Sequence, residues 1–311
     1  MPLISIVTAC YNEEENVNEV YQRVKNVMSA LSNYQYEHIF IDNASGDTTV
    51  EKLKEIAKCD SNVKIIVNAR NFGHIRSPFY GLMQAKGDLV MSIVCDLQDP
   101  PELIPEFVKK WEEGFKIVVG VKETTSENKI MSFFRKFYYR LISKIASTKQ
   151  IKHFTGFGLY DKKIIEALKT FDDPYPYFRG MISEVGFEIA EIPYHQPLRE
   201  KGLTKNNFYT LYDMAMLGIT SYSNIPIRLA ILSGFICALA SIAVAIVFFV
   251  LKLLFWNHFT VGVAPILIGI FFFAGVQLFF IGLLGEYISS IHTHVKRRPL
   301  VFVKETVNID I

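Results

Sequence analysis

Two runs without a charged side chain limit this chain before any motif is read. Residues 229–251 number 23, and residues 261–284 number 24 with Gln277 as their most polar side chain. At about 1.5 Å per residue, each run as a helix crosses a hydrocarbon core of roughly 30 Å. Both are expected to be transmembrane helices. The connection at 252–260 carries one lysine, whereas Arg228 precedes the first run and Lys296, Arg297 and Arg298 follow the second. Cationic residues stay on the cytosolic side, so the outer ends of the hairpin are expected there. His292 and His294, beside that basic triplet, read as solvated residues rather than metal ligands.

The first hundred residues carry a different pattern. Apolar, β-branched runs at 3–10, 36–41, 63–67, 89–95 and 117–121 read as strands, and the segments 13–31, 48–58, 75–86 and 102–111 read as helices. This alternation predicts a doubly wound parallel sheet. The run at 89–95 is the expected central strand, covered on both faces, and its polar chemistry begins abruptly with Asp96, Gln98 and Asp99. Ligands of open α/β sheets collect at the carboxyl ends of strands, and oxygen donors there suit a hard divalent cation. An acidic turn that merely ends the strand would produce the same residues. Two more strand ends deliver polar side chains to that edge: Ala9, Cys10, Tyr11, Asn12 and Glu13 after the first strand, and Asp42 to Thr49 after the second. A carboxylate such as Asp42 can accept the imide N–H of a uracil. Ser45 and Asp47 are equally explained as helix caps.

Composition narrows the classes. The 33 basic and 31 acidic residues give a formal net charge of +2, so no nucleic-acid partner is expected. The four cysteines, Cys10, Cys59, Cys95 and Cys237, lack zinc-finger spacing and read as reduced structural thiols. The apolar N-terminus lacks a basic start and runs into three glutamates, so it reads as a first strand rather than a signal segment, leaving this domain in the cytosol. Neither a GxGxxG after the first strand nor a GxxxxGK[ST] is present. Residues 128–146 place apolar and aromatic side chains at helical spacing among Lys129, Arg135, Lys136, Arg140 and Lys144, the pattern of a helix lying in a bilayer interface or of an ordinary surface helix packed on a core.

In order and spacing, the segments YNEEE, DNASGDTT, ARNFG and DLQDPPE resemble the inverting glycosyltransferases of family 2, and more closely those that act on polyprenyl phosphates. The likeness extends through Phe178-Arg179-Gly180-Met181, the segment 199–205 and the hairpin. It implies an A-type glycosyltransferase fold, Rossmann-like with a mostly parallel sheet, over residues 1–204. A juxtamembrane helix at 205–227, the hairpin at 228–289 and a cytosolic tail at 290–311 complete the expected organisation. The implied partners are a nucleotide-sugar donor, with UDP as the expected carrier, a polyprenyl (undecaprenyl) phosphate acceptor and the lipid bilayer, with a homo-oligomer allowed. The implied location is the bacterial cytoplasmic membrane, with the catalytic domain in the cytosol.

Carried over residue by residue, the resemblance makes Ala9, Tyr11, Asn12, Glu13, Asp42, Asn71, Cys95 and Asp96 the nucleotide site. Asp96 and Gln98 become the ligands of Mg2+ or Mn2+. Arg199 and Lys205 join Asp96 in catalysis, and Arg135, Arg199 and Lys205 face the acceptor phosphate. The chain departs from the family pattern twice. Val94 stands where the first Asp of a DxD motif is usual, and Gly156 stands where a proposed catalytic Asp often lies, with Gly158 in place of an Arg. A phosphate monoester, with a second pKa near 6, is already a nucleophile at neutral pH, whereas a sugar hydroxyl needs a general base. The missing acid therefore favours a phosphate acceptor, and Asp99, Asp161 and Glu184 are the candidate substitutes. Two other functions fit the same motifs: a catalytically silent membrane tether, and a polysaccharide synthase, although the QxxRW-like segment and further spans of the latter are missing.

Overall fold

Strands that must be covered on both faces need apolar residues at successive positions, and the first, second and fourth strands have them. In the computed structural model, which describes residues 1–123, 151, 153–197, 216, 225–255 and 263–309, they lie at the centre of an eight-stranded sheet. The strands are β1 (Leu3–Cys10), β2 (Gln35–Asp42), β3 (Val63–Asn68), β4 (Leu89–Val94), β5 (Ile117–Lys122), β6 (Phe154–Asp161), β7 (Ile189–Tyr194) and β8 (Val303–Val307). Their order is β7-β5-β6-β4-β1-β2-β3-β8. The block β4-β1-β2-β3 is parallel, as the alternation predicts. β5 and β7 are also parallel, so the expected mostly parallel sheet holds, with antiparallel neighbours toward its flanks: β6 runs antiparallel to β4 and β5, and β8 antiparallel to β3. The fold is therefore a mixed α/β sheet.

Helices α1 (Val17–Ala30), α2 (Thr49–Cys59) and α4 (Ile104–Glu112) cover one face, where Val20, Val24, Leu53 and Phe107 pack on Ile4, Ile6, Phe40 and Met91. Helices α3 (Gly73–Gln84), α5 (Lys162–Lys169) and α6 (Phe178–Glu184) cover the other, with Phe79, Leu82, Ile165 and Ile182 against Val7, Ile39, Ile41 and Tyr160. Full burial of such a side chain contributes about 1.5–3 kcal/mol. Both faces are thereby closed, and the ends of the strands are left for chemistry.

The chain divides into two compact units, residues 1–211 with 296–311, and residues 212–295. The segment expected to be a free tail thus supplies β8. It is tied in by Asn308 Nδ2, which donates to the carbonyls of Ala57 (3.0 Å) and Val63 (2.9 Å), and by a 2.7 Å ion pair between Lys54 and Glu305. The second unit contains α7 (Ile225–Leu254) and α8 (Val263–Val295), both long and apolar enough to cross a membrane. Phe249, Phe271, Leu278 and Phe279 are largely exposed on them. The α8 helix continues past the expected end at 284. The expected interface helix at 128–146, residues 205–215 and 217–224 of the juxtamembrane helix expected at 205–227, and the residues Arg135, Arg199 and Lys205 lie outside the described residues.

Candidate active site

Parallel pairing of β1, β2, β3 and β4 brings four strand ends to one edge. Ala9, Tyr11, Asn12, Glu13, Asp42, Asn71, Cys95, Asp96 and Gln98 all lie on these ends or the loops that follow them. Within three residues of the end of β1, β2 and β4 the backbone turns left-handed at Asn12 (φ 54°), Ala44 (φ 62°) and Leu97 (φ 59°). Such conformations cost a non-glycine residue about 1–2 kcal/mol. Local hydrogen bonds offset that cost.

Asp42 is fully buried at the end of β2. Its Oδ2 accepts from the Ser45 N–H at 2.9 Å, and its Oδ1 accepts from the Ser45 hydroxyl. Ser45 Oγ in turn accepts from the Asn12 N–H at 2.8 Å, and the Gly46 N–H donates to Asn12 Oδ1 at 2.8 Å. The loops after β1 and β2 are clasped together above a buried carboxyl group. Burial pushes that group above the ordinary range, and the Ser45 bonds partly reverse the effect.

Asn43 joins the next two loops, a role that sequence reading missed. Its Nδ2 donates to Asn71 Oδ1 (3.0 Å) and the Gly73 carbonyl (3.1 Å), while its Oδ1 accepts from the Phe72 N–H (2.9 Å) and Asn68 Nδ2 (3.3 Å). Asn71 is thereby placed beside the Asp42 strand end. The available signal was a side chain with both donors and acceptors next to Asp42, on a strand end whose neighbours also carry asparagine. Glu13 has local work: its N–H donates to Thr49 Oγ1 at 2.9 Å and its Oε2 accepts from Asn16 Nδ2 at 2.6 Å. Cys95 and Cys10 are buried neighbours beneath the edge, and burial raises the Cys10 thiol, followed by its contact with Cys95.

At the end of β4, Asp96 Oδ1 accepts from the Gln98 N–H at 3.1 Å around the left-handed Leu97. Asp99 is buried behind them, where Oδ2 accepts from the Val94 N–H (3.3 Å) and Oδ1 from the Tyr194 hydroxyl (3.0 Å). Burial raises Asp99 to about 7, and the charge of Asp96 adds to the rise. Among the described residues no cluster of three His, Cys, Asp or Glu side chains is arranged to hold a metal. The Asp96 carboxylate and the Gln98 amide still offer hard oxygen donors. That pair fits magnesium or manganese, ions that keep water and phosphate oxygens in their coordination sphere.

The two departures from the family pattern lie on neighbouring strands. Ser92 pairs with Gly158 as the last pair of the antiparallel β4–β6 ladder, and Val94 and Gly156 each lie two residues from that pair on their own strand. Val94 is 41% exposed, and Gly156 has φ 112°. A Cβ on Gly158 would lie 2.7 Å from the Val118 carbonyl oxygen, so no arginine fits there. Asp161, one candidate substitute acid, pairs with Leu89 at the opposite end of β4. It caps α5 through the Lys163 N–H (3.0 Å) and binds Lys116 Nζ (2.9 Å) and Trp111 Nε1 (2.8 Å), a structural assignment. Glu184 ends α6. Asp99 is the substitute that the fold brings to the edge.

A mixed α/β sheet with a buried carboxylate at one strand end and an aspartate–glutamine pair at another is an arrangement for binding a ligand at the sheet edge. The chain belongs to glycosyl transferase family 2, whose family model matches residues 5–168. It is similar to the uncharacterized glycosyltransferase YkcC of Bacillus subtilis (strain 168), 35% identical over 98% of this chain and 94% of that protein. It is also similar to the SfII prophage-derived bactoprenol glucosyl transferase of Shigella flexneri, 32% identical over 97% of this chain and 98% of that protein. Among solved structures it is similar to glucosyl-3-phosphoglycerate synthase from Mycobacterium tuberculosis, with a TM-score of 0.46 and 17% identity over 70% of this chain and 78% of that one. The protein is a glycosyltransferase.

Proposed function

We propose that this glycosyltransferase moves a sugar, with inversion, from a nucleotide diphosphate sugar to a polyprenyl phosphate at the cytosolic face of a bacterial membrane. The expected donor is a UDP-hexose or UDP-N-acetylhexosamine. The observation that carries this reading is the near end-to-end likeness to a bactoprenol glucosyl transferase, which includes the strand-end motifs and both apolar helices.

In this reading Asp42 accepts the imide N–H of the base, and the clasp of Asn12, Ser45 and Gly46 holds its carboxylate in place. Asn71, fixed by Asn43, lines the donor side. Asp96 and Gln98 hold magnesium or manganese, which when bound neutralises charge on the departing diphosphate. Arg199 and Lys205 supply further positive charge to the phosphates, and Arg135 meets the acceptor head group. No general base is required, because the acceptor phosphate is largely ionised at neutral pH. The buried Asp99 positions the edge: it ties the Val94 amide of β4 to Tyr194 of β7, so the backbone that presents Asp96 cannot shift.

The test is transfer of radiolabelled sugar from a panel of UDP- and GDP-sugars into undecaprenyl phosphate, using the full chain in detergent with magnesium, manganese or EDTA. The expected result is lipid-linked product from one donor, lost with EDTA and with Asp96→Ala. Absence of lipid product from every donor, with folded protein and accessible lipid, would sink the reading.

A further inference from the structure

Cationic side chains gather beside the loop that follows β3, where the chain continues after the second apolar helix. Lys296, Arg297 and Arg298 follow Val295, the last residue of α8, so Arg298 is the third residue past the helix end, a contour of about 10 Å. The returning segment lies on the first turn of α3, where Arg76 Nη2 donates to the Pro299 carbonyl at 2.5 Å. Phe302 then sets its ring 6.2 Å from that of Phe72. Two guanidinium groups approach the Phe72 ring, Arg70 at 4.1 Å and Arg76 at 5.8 Å from its centroid.

Two acids, Asp172 and Asp173, line the adjoining cavity with Arg297 and Arg298. None of the ion pairs among the described residues involves Arg70, Arg76, Arg297 or Arg298. Arg76 Nε is buried and has no acceptor. Burial, and then the charges of Arg70 and Arg298, weaken the hold of Arg76 on its proton, as expected where like charges crowd a half-buried group. One turn along α3, Phe79 lines a cavity of about 220 Å³ that is walled by Lys169, Asp172, Arg297, Arg298 and Pro299. Pro299 is the same residue that accepts from Arg76. Guanidinium forks without a carboxylate match phosphate oxygens, and a basic segment just past a membrane exit meets anionic lipid first.

We propose that Arg76 and Arg298, flanked by Arg70 and Arg297, bind the phosphodiester headgroup of an anionic phospholipid. The site adjoins the loop that presents Asn71, and it rests on reading the two apolar helices as membrane spans. Its occupant would hold the returning segment against α3. The Ala69 N–H donates to the Phe302 carbonyl at 2.8 Å, so that segment is bonded directly to the loop that presents Asn71.

The test titrates the purified full chain in mild detergent with short-chain phosphatidylglycerol and counts bound lipid by native mass spectrometry. Short-chain phosphatidylcholine and inorganic phosphate serve as the other arms. Phosphatidylglycerol should bind well below the concentration at which phosphatidylcholine does. Arg298→Gln and Arg76→Gln should each weaken it about fivefold, as expected for one cation near lipid phosphate. Arg298→Lys should keep most of the binding, and Arg298→Gln should melt like the parent chain. Equal binding by the parent and both glutamine variants, or equal binding of the two lipids, would overturn the proposal. Displacement of phosphatidylglycerol by equimolar inorganic phosphate would overturn the lipid assignment. Carbonate extraction of membranes separates the two readings: a chain released by carbonate sinks the membrane reading, whereas a retained chain with unchanged Arg298→Gln binding sinks this site alone.

Discussion

Restoring an aspartate at residue 156 is the sharpest perturbation of this site. The residue lies on β6, two positions from the Gly158 that pairs with Ser92 of β4, and the family pattern often has a proposed catalytic Asp there. The glycine holds φ at 112°, and a Cβ would meet only Phe178 Cδ1 at 3.9 Å, so the cost is one of backbone conformation rather than space. An L-residue kept in such a region costs about 1–3 kcal/mol. For a domain of this size each kcal/mol shifts the melting temperature by roughly 2–4 °C. Gly156→Ala and Gly156→Asp should therefore both melt about 2–12 °C below the parent in detergent, with Gly156→Asn nearer the parent because asparagine tolerates left-handed backbone. Turnover with a polyprenyl phosphate acceptor should not rise in Gly156→Asp, because that nucleophile is already ionised. A Gly156→Asp chain with parental melting would refute the conformational argument. A tenfold gain in turnover would refute the claim that no base is required.

Four further outcomes follow from the same geometry. Asp42→Asn should raise the KM for a UDP-sugar about 10- to 100-fold, the worth of a charge-assisted bond to the base, and steady-state kinetics would contradict this if KM stayed put. Tyr194→Phe leaves the buried Asp99 without its 3.0 Å donor and should cost about 1–3 kcal/mol. Adding Asp99→Asn to that variant should then cost less than the sum of the two, and simple additivity in thermal melts would dismiss the pairing. His38, buried between Thr8 and Phe40, is lowered to about 3 by desolvation, so between pH 6.5 and 3 the unfolded chain binds the extra proton. Its share of stability is complete above pH 6.5 and falls with pH, by about 2 kcal/mol at pH 5. Pulse proteolysis should show this slope flattened in His38→Gln; parallel slopes for the two chains would remove His38 as the cause.

The parts of the fold that sequence disclosed are those with one dominant energetic cause. Strands β1 to β5 are buried on both faces and read as apolar runs, and the long uncharged helices read by length alone. The helix expected from Glu13 begins instead at Val17, because the Glu13 N–H and the Glu14 N–H are committed to Thr49 and Asp47 across the loop. Such long-range competition leaves no mark on local periodicity. Strand β6 reads only as a motif, since glycines depress strand propensity; Gly158 allows close approach to β5, and Gly156 supplies a φ of 112°. Strand β8 carries three successive exposed polar residues, Lys304, Glu305 and Thr306, on an edge, so it lacks the apolar run that betrays a central strand. Asn43 was hidden for a related reason. Its value lies in four partners drawn from β3 and the loop that follows it, and no spacing rule encodes that.

The two missing carboxylates lie on neighbouring strands. Val94 and Gly156 are each two residues from the Ser92–Gly158 pair that ends the β4–β6 ladder. Asp99, the next acid after Asp96 along the chain, is turned inward to the Val94 amide and the Tyr194 hydroxyl, and its raised pKa of about 7 keeps it only partly ionised at neutral pH. An enzyme acting on a sugar hydroxyl gains from a carboxylate there, because the hydroxyl must lose a proton. One that transfers the sugar of a nucleotide diphosphate sugar to a lipid phosphate, releasing the nucleotide diphosphate, must instead bring two anions together, and every fixed carboxylate between them adds repulsion in a site of low dielectric. Neutral residues at 94 and 156 are consistent with the phosphate acceptor proposed above. The sequence departures that first looked like losses of catalytic parts thus become an argument about the acceptor.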